Sequence, residues 1–228
     1  SPSIITNDGK KKFKKDYIGF ENNICNACTY ISNRKKIDWD AREKELLKLL
    51  DKHRSKNGEY DCIVPGSGGK VPAYQAHVLK YKYGMNPLTV TWAPHIYTDI
   101  GWKNFQNWIS IGGFDNYLFT PNGKIHRKLT RLSFKNLFHP FQPFIIGQRF
   151  LAPKIAKKYN IKLIFYGEHI AEYGIKNKEE GSLFDSSYYT VNEIDFDKIN
   201  LSGISVNNLL KENDFKINDI KPYLPPLK

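Results

Sequence analysis

Residues 61–84 read DCIVPGSGGKVPAYQAHVLKYKYG, and their order of types decides the fold. The apolar run Cys62-Ile63-Val64-Pro65 has the length and character of a buried strand. Gly66-Ser67-Gly68-Gly69 is a turn, and Lys70 follows it. A helix is predicted from Pro72 to about Tyr83, with Gly84 as its stop. Pro72 suits a first helical turn, where its missing N–H has no intrahelical partner to lose. Glycines in such a turn can take positive φ and turn successive N–H groups inward as an anion nest. The helix N-terminus adds its dipole and Lys70 a full charge. Two longer phosphate-loop patterns fail. GxxxxGK[ST] needs glycine at Val64 and a hydroxyl at Val71, and GxGxxG needs glycine at Val71. What remains is S-G-G-K, read either as an anion cradle or as a tight strand-to-helix connection without a ligand.

Outward from this stretch, strands and helices alternate. Trp39, Leu46, Leu47, Leu49 and Leu50 among charges predict an amphipathic helix over 38–56. Strands are expected at 60–65, 88–92, 117–120 and 162–166. Helices are expected near 100–111, 123–138 and 152–159, with a proline-bounded turn at 139–143. This order implies an α/β fold: an open parallel sheet with right-handed crossovers and helices on both faces. Ligands of such sheets sit beyond the carboxyl ends of the strands. That rim receives Ser67, Gly68, Gly69 and Lys70 from one strand, Thr91 to His95 from the next, and Glu168 from the last. Three regions follow: an irregular N-terminal segment (1–40) carrying a CxxC at Cys25 and Cys28, an α/β domain (41–174), and a polar, truncated C-terminal extension or lid (175–228).

Composition bounds the function. Aromatic residues make up 14% of 228, enough for a core and unlike a disordered chain. No apolar run reaches the roughly 18 residues that span a bilayer, and three cysteines make no disulfide framework. A cytoplasmic protein without a membrane partner is expected. The net charge of +12 fits an anionic ligand, but lysines are spread through every segment and are equally the default surface residue.

The runs CIVPGSGGK, YQAHVLKYKYGMNPLTVTWAPHIYTDIGWKNFQNW, HPFQPFIIGQRFLAPKIAKKYNI and GEHIAEYG resemble the N-acetyl sugar amidotransferases of bacterial surface-polysaccharide (lipopolysaccharide, O-antigen) biosynthesis. These belong to the PP-loop ATP pyrophosphatase superfamily, with the adenine nucleotide alpha-hydrolase-like fold, and the similarity covers roughly residues 23–174. The resemblance implies ATP and Mg²⁺ as cofactors. It also implies an acetamido sugar or sugar nucleotide as substrate, and a glutaminase subunit as the partner that supplies ammonia. By position it assigns the pyrophosphate to Ser67, Gly68, Gly69 and Lys70, and adenine to main-chain groups at Thr91 and Trp92, with Gly147 and Gln148 also on the ATP side. His95, Tyr97, Asp99 and Tyr173 become a substrate wall, and Lys70, Glu168 and Glu172 the catalytic set. Alternatives stand beside these roles: His95 as a packing residue, Asp99 as a helix cap, Glu168 and Glu172 as rim charges.

The chain departs from the family's S-G-G-K-D-S, because Val71-Pro72 follow Lys70. A charge-assisted hydrogen bond lost there costs about 1.5–3 kcal/mol. Family members also carry a second cysteine pair upstream of the one matching Cys25 and Cys28. Two thiolates do not fill a tetrahedral zinc site. A catalytically impaired homologue that only binds nucleotide or a partner, and a tRNA-modifying PP-loop enzyme, are the alternatives, although nucleic acid is the less expected partner.

Overall fold

The computed structural model describes residues 3–5, 11–13, 20–34, 36–167 and 189–228. The chain divides into two compact units, residues 1–49 with 168–183, and residues 50–167 with 184–228. In the first, β1 (Ser3–Ile5) pairs antiparallel with β2 (Lys11–Phe13), and β3 (Phe20–Glu21) with β4 (Ile24–Cys25). Asn22 and Asn23 turn the second hairpin with φ of 51° and 62°, a left-handed pair that asparagine tolerates better than most residues. Helix α1 (Asn26–Arg34) follows. Helix α2 (Trp39–His53) starts where the Asp38 carboxylate accepts the Ala41 N–H at 3.0 Å, and it crosses the division between the units.

The second unit is built on a parallel sheet flanked by helices. Strand β5 (Cys62–Pro65) pairs with β6 (Pro87–Trp92), and β6 with β7 (Asn116–Phe119), all parallel. The expected fourth strand survives as a single parallel bridge, Ile63 to Ile164. Ile63 N–H donates to the Leu163 carbonyl at 2.9 Å, and Phe165 N–H to the Ile63 carbonyl at 2.8 Å. The order is therefore β7, β6, β5, then 163–165, and the chain reverses direction of travel across the sheet at β5. Ligand crevices of open α/β sheets form at such a reversal.

Helix α3 (Lys70–His77) begins two residues before the expected start, and its last turn, Val78–Lys82, widens so that Tyr83 N–H reaches back to the Val78 carbonyl at 3.0 Å. Helices α4 (Asp99–Ser110) and α5 (Gly123–Leu137) match expectation within a residue. Helix α6 does not: it runs Gln142–Lys158, ten residues longer at its start than the helix predicted from Ala152. His139-Pro140-Phe141-Gln142-Pro143 reads as a turn, yet Pro143 sits in the first turn of α6, where proline costs nothing, and Pro153 is accommodated inside it.

On β6, Leu88, Val90 and Trp92 face a core shared with Leu129 of α5 and Leu151, Ala152 and Ile155 of α6. Thr89 and Thr91 alternate to the opposite face, as a pleated strand requires. The tail expected to be an extension or lid supplies much of the same core. After β8 (Asn200–Leu201), β9 (Ile204–Ser205), α7 (Val206–Glu212) and α8 (Ile217–Ile220), the side chains of Leu201, Val206, Leu209, Phe215, Ile220, Tyr223 and Leu224 are all buried in it. Those residues stand singly or in pairs among polar ones, so the tail reads as polar in sequence while its inward face is apolar.

Candidate functional site

The glycine turn leaves β5 at the carboxyl edge of the sheet, and its first residue is tied down. Gly66 N–H donates to the Val90 carbonyl at 2.9 Å, and the Gly66 carbonyl accepts the Thr91 hydroxyl at 2.7 Å. Thr91 is in turn held by Asn116, whose side-chain amide donates to Thr91 Oγ1 at 3.0 Å and to Thr89 Oγ1 at 2.9 Å. The Gly66 amide is thus spent on the sheet. This leaves Ser67, Gly68, Gly69 and Lys70 as the main-chain donors of the turn, and none of the four makes a hydrogen bond to a described residue.

Gly68 is the residue the turn cannot replace. Its φ is +84°, and a Cβ there would lie 2.7 Å from the Phe105 Cα and 2.8 Å from the Phe105 nitrogen, so the turn rests directly on the backbone of α4. Gly69 is extended, at φ −68° and ψ 159°, and precedes α3 with no side-chain cap. Lys70, Ser67 and Gly69 are exposed. An exposed turn with unspent N–H groups at the start of an eight-residue helix, beside one lysine, suits a negatively charged oxygen ligand. Val71 and Pro72 supply neither a hydroxyl nor a carboxylate. A Cβ built on Gly167 would lie 3.1 Å from Val71 Cγ1, so the chain returning from 163–165 passes over this apolar helix start.

The residues after β6 form a second grouping. Thr98, not Asp99, caps α4: its Oγ1 accepts the Gly101 N–H at 3.0 Å. Asp99 stands exposed in the first turn, where a negative charge favours the helix dipole. Tyr97 packs on Trp102 at 5.0 Å between ring centroids and on Phe105 at 6.1 Å, which links it through α4 to the glycine turn. Burial raises the pKa of its hydroxyl.

His95 is exposed and lies against an aromatic wall, 4.6 Å from the His126 ring and 4.9 Å from that of Phe144. His126 is 5% exposed, and its Nδ1 lies 2.7 Å from the Tyr223 hydroxyl. Burial first, then the neighbouring His95, pushes its pKa down to about 4, so its ring is neutral at ordinary pH. Desolvation raises the pKa of Tyr223. Trp92 faces this wall rather than the glycine turn, and Gly147 makes room for it: a Cβ on Gly147 would fall 2.4 Å from the indole. Gln148, the next residue of α6, is exposed.

The structure therefore places Ser67, Gly68, Gly69 and Lys70 directly after Gly66, the residue of the turn that Thr91 and Val90 hold by hydrogen bonds, with Tyr97 linked to the turn through α4. It places Trp92, His95 and Gly147 in a second, aromatic neighbourhood around His126. Glu168, Glu172 and Tyr173 lie outside the described residues. His126, Tyr223 and Asn116 escaped the sequence reading. A signal existed for His126, which falls with Leu129 and Ser133 on the inward side of an otherwise basic helix.

In the first unit, Cys28 N–H donates to Cys25 Sγ at 3.4 Å, and the bond between their side chains, followed by their mutual charge, raises the Cys28 pKa. Among the described residues no group of three His, Cys, Asp or Glu side chains converges as a metal site. The two thiols alone fit half of a tetrahedral zinc site, and the described residues offer no carboxylate set for Mg²⁺. A hollow of about 170 Å³ at the amino ends of the strands is lined by His53, Ser55, Asp61, Asn160 and Lys162 among others. Its buried carboxylate, Asp61, is already spent on the amides of Ser55 and Asn86 at 3.2 and 2.8 Å. No helix among the described residues is long and apolar enough to cross a membrane. Compared with models of known protein families and with curated proteins, the chain matches none.

Proposed function

We propose that the chain is an ATP-dependent amidotransferase of the PP-loop type, acting on the acetamido group of a sugar. One observation carries the reading: four successive unspent main-chain N–H groups, Ser67 to Lys70, at the carboxyl edge of a parallel sheet where the strand order reverses. The resemblance of the sequence runs to sugar amidotransferases supports reading the anion at that place as the pyrophosphate of ATP.

The chemistry is balanced by substitution at two centres. The acetamido oxygen attacks the α-phosphorus of ATP, and pyrophosphate leaves into the Ser67–Lys70 turn. Ammonia then adds to the activated carbon, AMP departs with the oxygen, and an acetamidino group remains. The turn's task is to hold developing negative charge with fixed dipoles. Lys70 adds its ammonium at the same place, and the Thr91–Gly66 bond keeps the turn from relaxing. The exposed His95 and Asp99, with Tyr97 beside them, belong to the sugar side. ATP, Mg²⁺, an ammonia-supplying glutaminase and the sugar are part of this proposal, as are Glu168 and Glu172 as carboxylates of the reaction.

A second reading has its own observation. Val71 and Pro72 put an apolar helix start against Gly167, where a hydroxyl and a carboxylate would help hold the phosphates. A homologue that binds nucleotide without efficient adenylation would look the same.

One experiment separates the two. AMP and pyrophosphate are assayed with ATP, magnesium, ammonia and a panel of acetamido sugars, for the natural chain and for Val71→Asp with Pro72→Ser. Sugar-dependent AMP from the natural chain supports the amidotransferase, and AMP from the repaired chain alone supports the impaired homologue. Neither chain forming AMP, together with no heat of ATP binding, would overturn the nucleotide reading.

A further inference from the structure

Helix α5 reads GKIHRKLTRLSFKNL and contains five cations and no acid. At 100° per residue, Lys124, Arg127, Lys128, Arg131 and Lys135 fall within about 100° of arc and along about 16 Å of axis. The opposite side is the buried one, with His126, Leu129 and Ser133. All five cations are exposed. Lys128 is engaged, donating to the Asn213 carbonyl and lying 4.4 Å over the Phe215 ring. The other four have no ion pair among the described residues, whose pairs are Arg42–Glu45, Arg54–Asp51 and Lys198–Asp195. An uncompensated row of like charge on one helix face is self-repelling, and its fields add outward.

The end of the row is apolar. Phe138 closes α5 in the left-handed conformation, φ 54°, and is 82% exposed; Phe141, three residues on, is 55% exposed. Two phenyl rings in water beside a cationic strip gain by entering an apolar phase. The matching surface is negatively charged where it meets the strip and apolar just beneath, which describes the headgroup and upper acyl layer of an acidic bilayer. Single-stranded nucleic acid fits less well. It needs open ring faces in a groove. Here Phe138 stands out from the surface and already stacks on Phe134, with centroids 5.0 Å apart and planes 29° apart.

We propose that the outer face of α5, with Lys124, Arg127, Arg131 and Lys135 on the headgroups and Phe138 and Phe141 entering the interface, docks this domain on anionic lipid bilayers. No segment spans the bilayer in this arrangement. The carboxyl-edge wall lies close by, since the Phe141 ring is 6.1 Å from that of His95. Docking therefore brings His95 near the lipid surface, whatever the chemistry of the site.

The test is co-sedimentation of the full chain with vesicles of phosphatidylcholine alone and of phosphatidylcholine with phosphatidylglycerol, at low and high salt. Binding is expected only with phosphatidylglycerol and is lost at high salt. Arg131→Gln with Lys135→Gln weakens partitioning about twenty-five-fold, about fivefold per cation. Phe138→Ser weakens it about tenfold. Thermal melts confirm that each variant folds, and Lys124→Gln with Arg127→Gln replaces the first pair should it not. Absence of vesicle binding, equal binding to phosphatidylcholine alone, or variants that bind like the natural chain would each overturn the proposal. So would tighter binding of single-stranded RNA that vesicles do not displace and the same variants abolish.

Discussion

The glycine turn and the His95–His126 wall lie at the same edge of the same sheet and handle polarity in opposite ways. The turn carries its polar groups on the backbone, exposed and unspent, with Lys70 beside them. The wall carries them on side chains, with the imidazole of the buried His126 held by Tyr223 and kept from protonating by its surroundings, while His95 faces solvent. Unspent main-chain donors suit a negatively charged group at the first, and the neutral His126 adds no charge to the second. The pairing teaches that one sheet edge can offer an anion cradle and a neutral surface side by side, and that the cradle is set by backbone conformation rather than by side-chain identity.

The largest effect is expected at Gly68. Gly68→Ala combines a disfavoured positive φ with overlap onto the Phe105 backbone, and should destabilise the domain by about 3–5 kcal/mol in urea unfolding. A loss under about 1 kcal/mol would mean that the turn is not held against α4.

The wall is tested by pH. The folded pKa of His126, about 4, lies below its ordinary 6.5, so the unfolded chain takes up the proton first. The stabilisation from keeping this histidine neutral is complete above pH 6.5 and is lost as pH falls toward 4, by on the order of 3 kcal/mol. Unfolding free energy followed over that window should show the slope, and His126→Gln should remove it. An identical slope in the variant would place the titration elsewhere.

Thr91→Val probes the tie between the turn and the sheet. It strips the Gly66 carbonyl of a donor and the Asn116 amide of an acceptor in a buried place, for about 2 kcal/mol in chemical unfolding. Thr91→Ser, which keeps the hydroxyl, should recover most of it. Lys70→Ala has the smallest structural consequence: ATP affinity by calorimetry falls about tenfold through one lost charge at the cradle, while the melting temperature stays put. Unchanged affinity would remove Lys70 from the site.

Much of the sheet is legible in the sequence because its signals are local. Cys62–Pro65 is an unbroken apolar run, Pro87–Trp92 alternates Leu, Val and Trp with threonine, and both become buried strands. The fourth strand is legible as a run at Lys162–Tyr166 but forms only one bridge, since pairing depends on its neighbour as well as on its own composition. The start of α6 was hidden by Pro140 and Pro143, residues that mark turns and helix starts alike. The tail's part in the core was hidden because each buried residue there contacts partners far away in the chain. At the site, the glycines and Lys70 could be picked out by type. The spent amide of Gly66 and the neutral state of His126 arise from contacts between segments, which no single stretch displays.

The interleaving of the tail with the sheet also constrains synthesis. Val90 and Trp92 emerge from the ribosome long before Leu201, Leu209, Ile220 and Tyr223, the side chains that seal their side of the layer. A nascent chain stalled near residue 160 would present that greasy surface uncovered and would be a client for chaperones. The final fold is reached only when the last sixty or so residues are available to close over it.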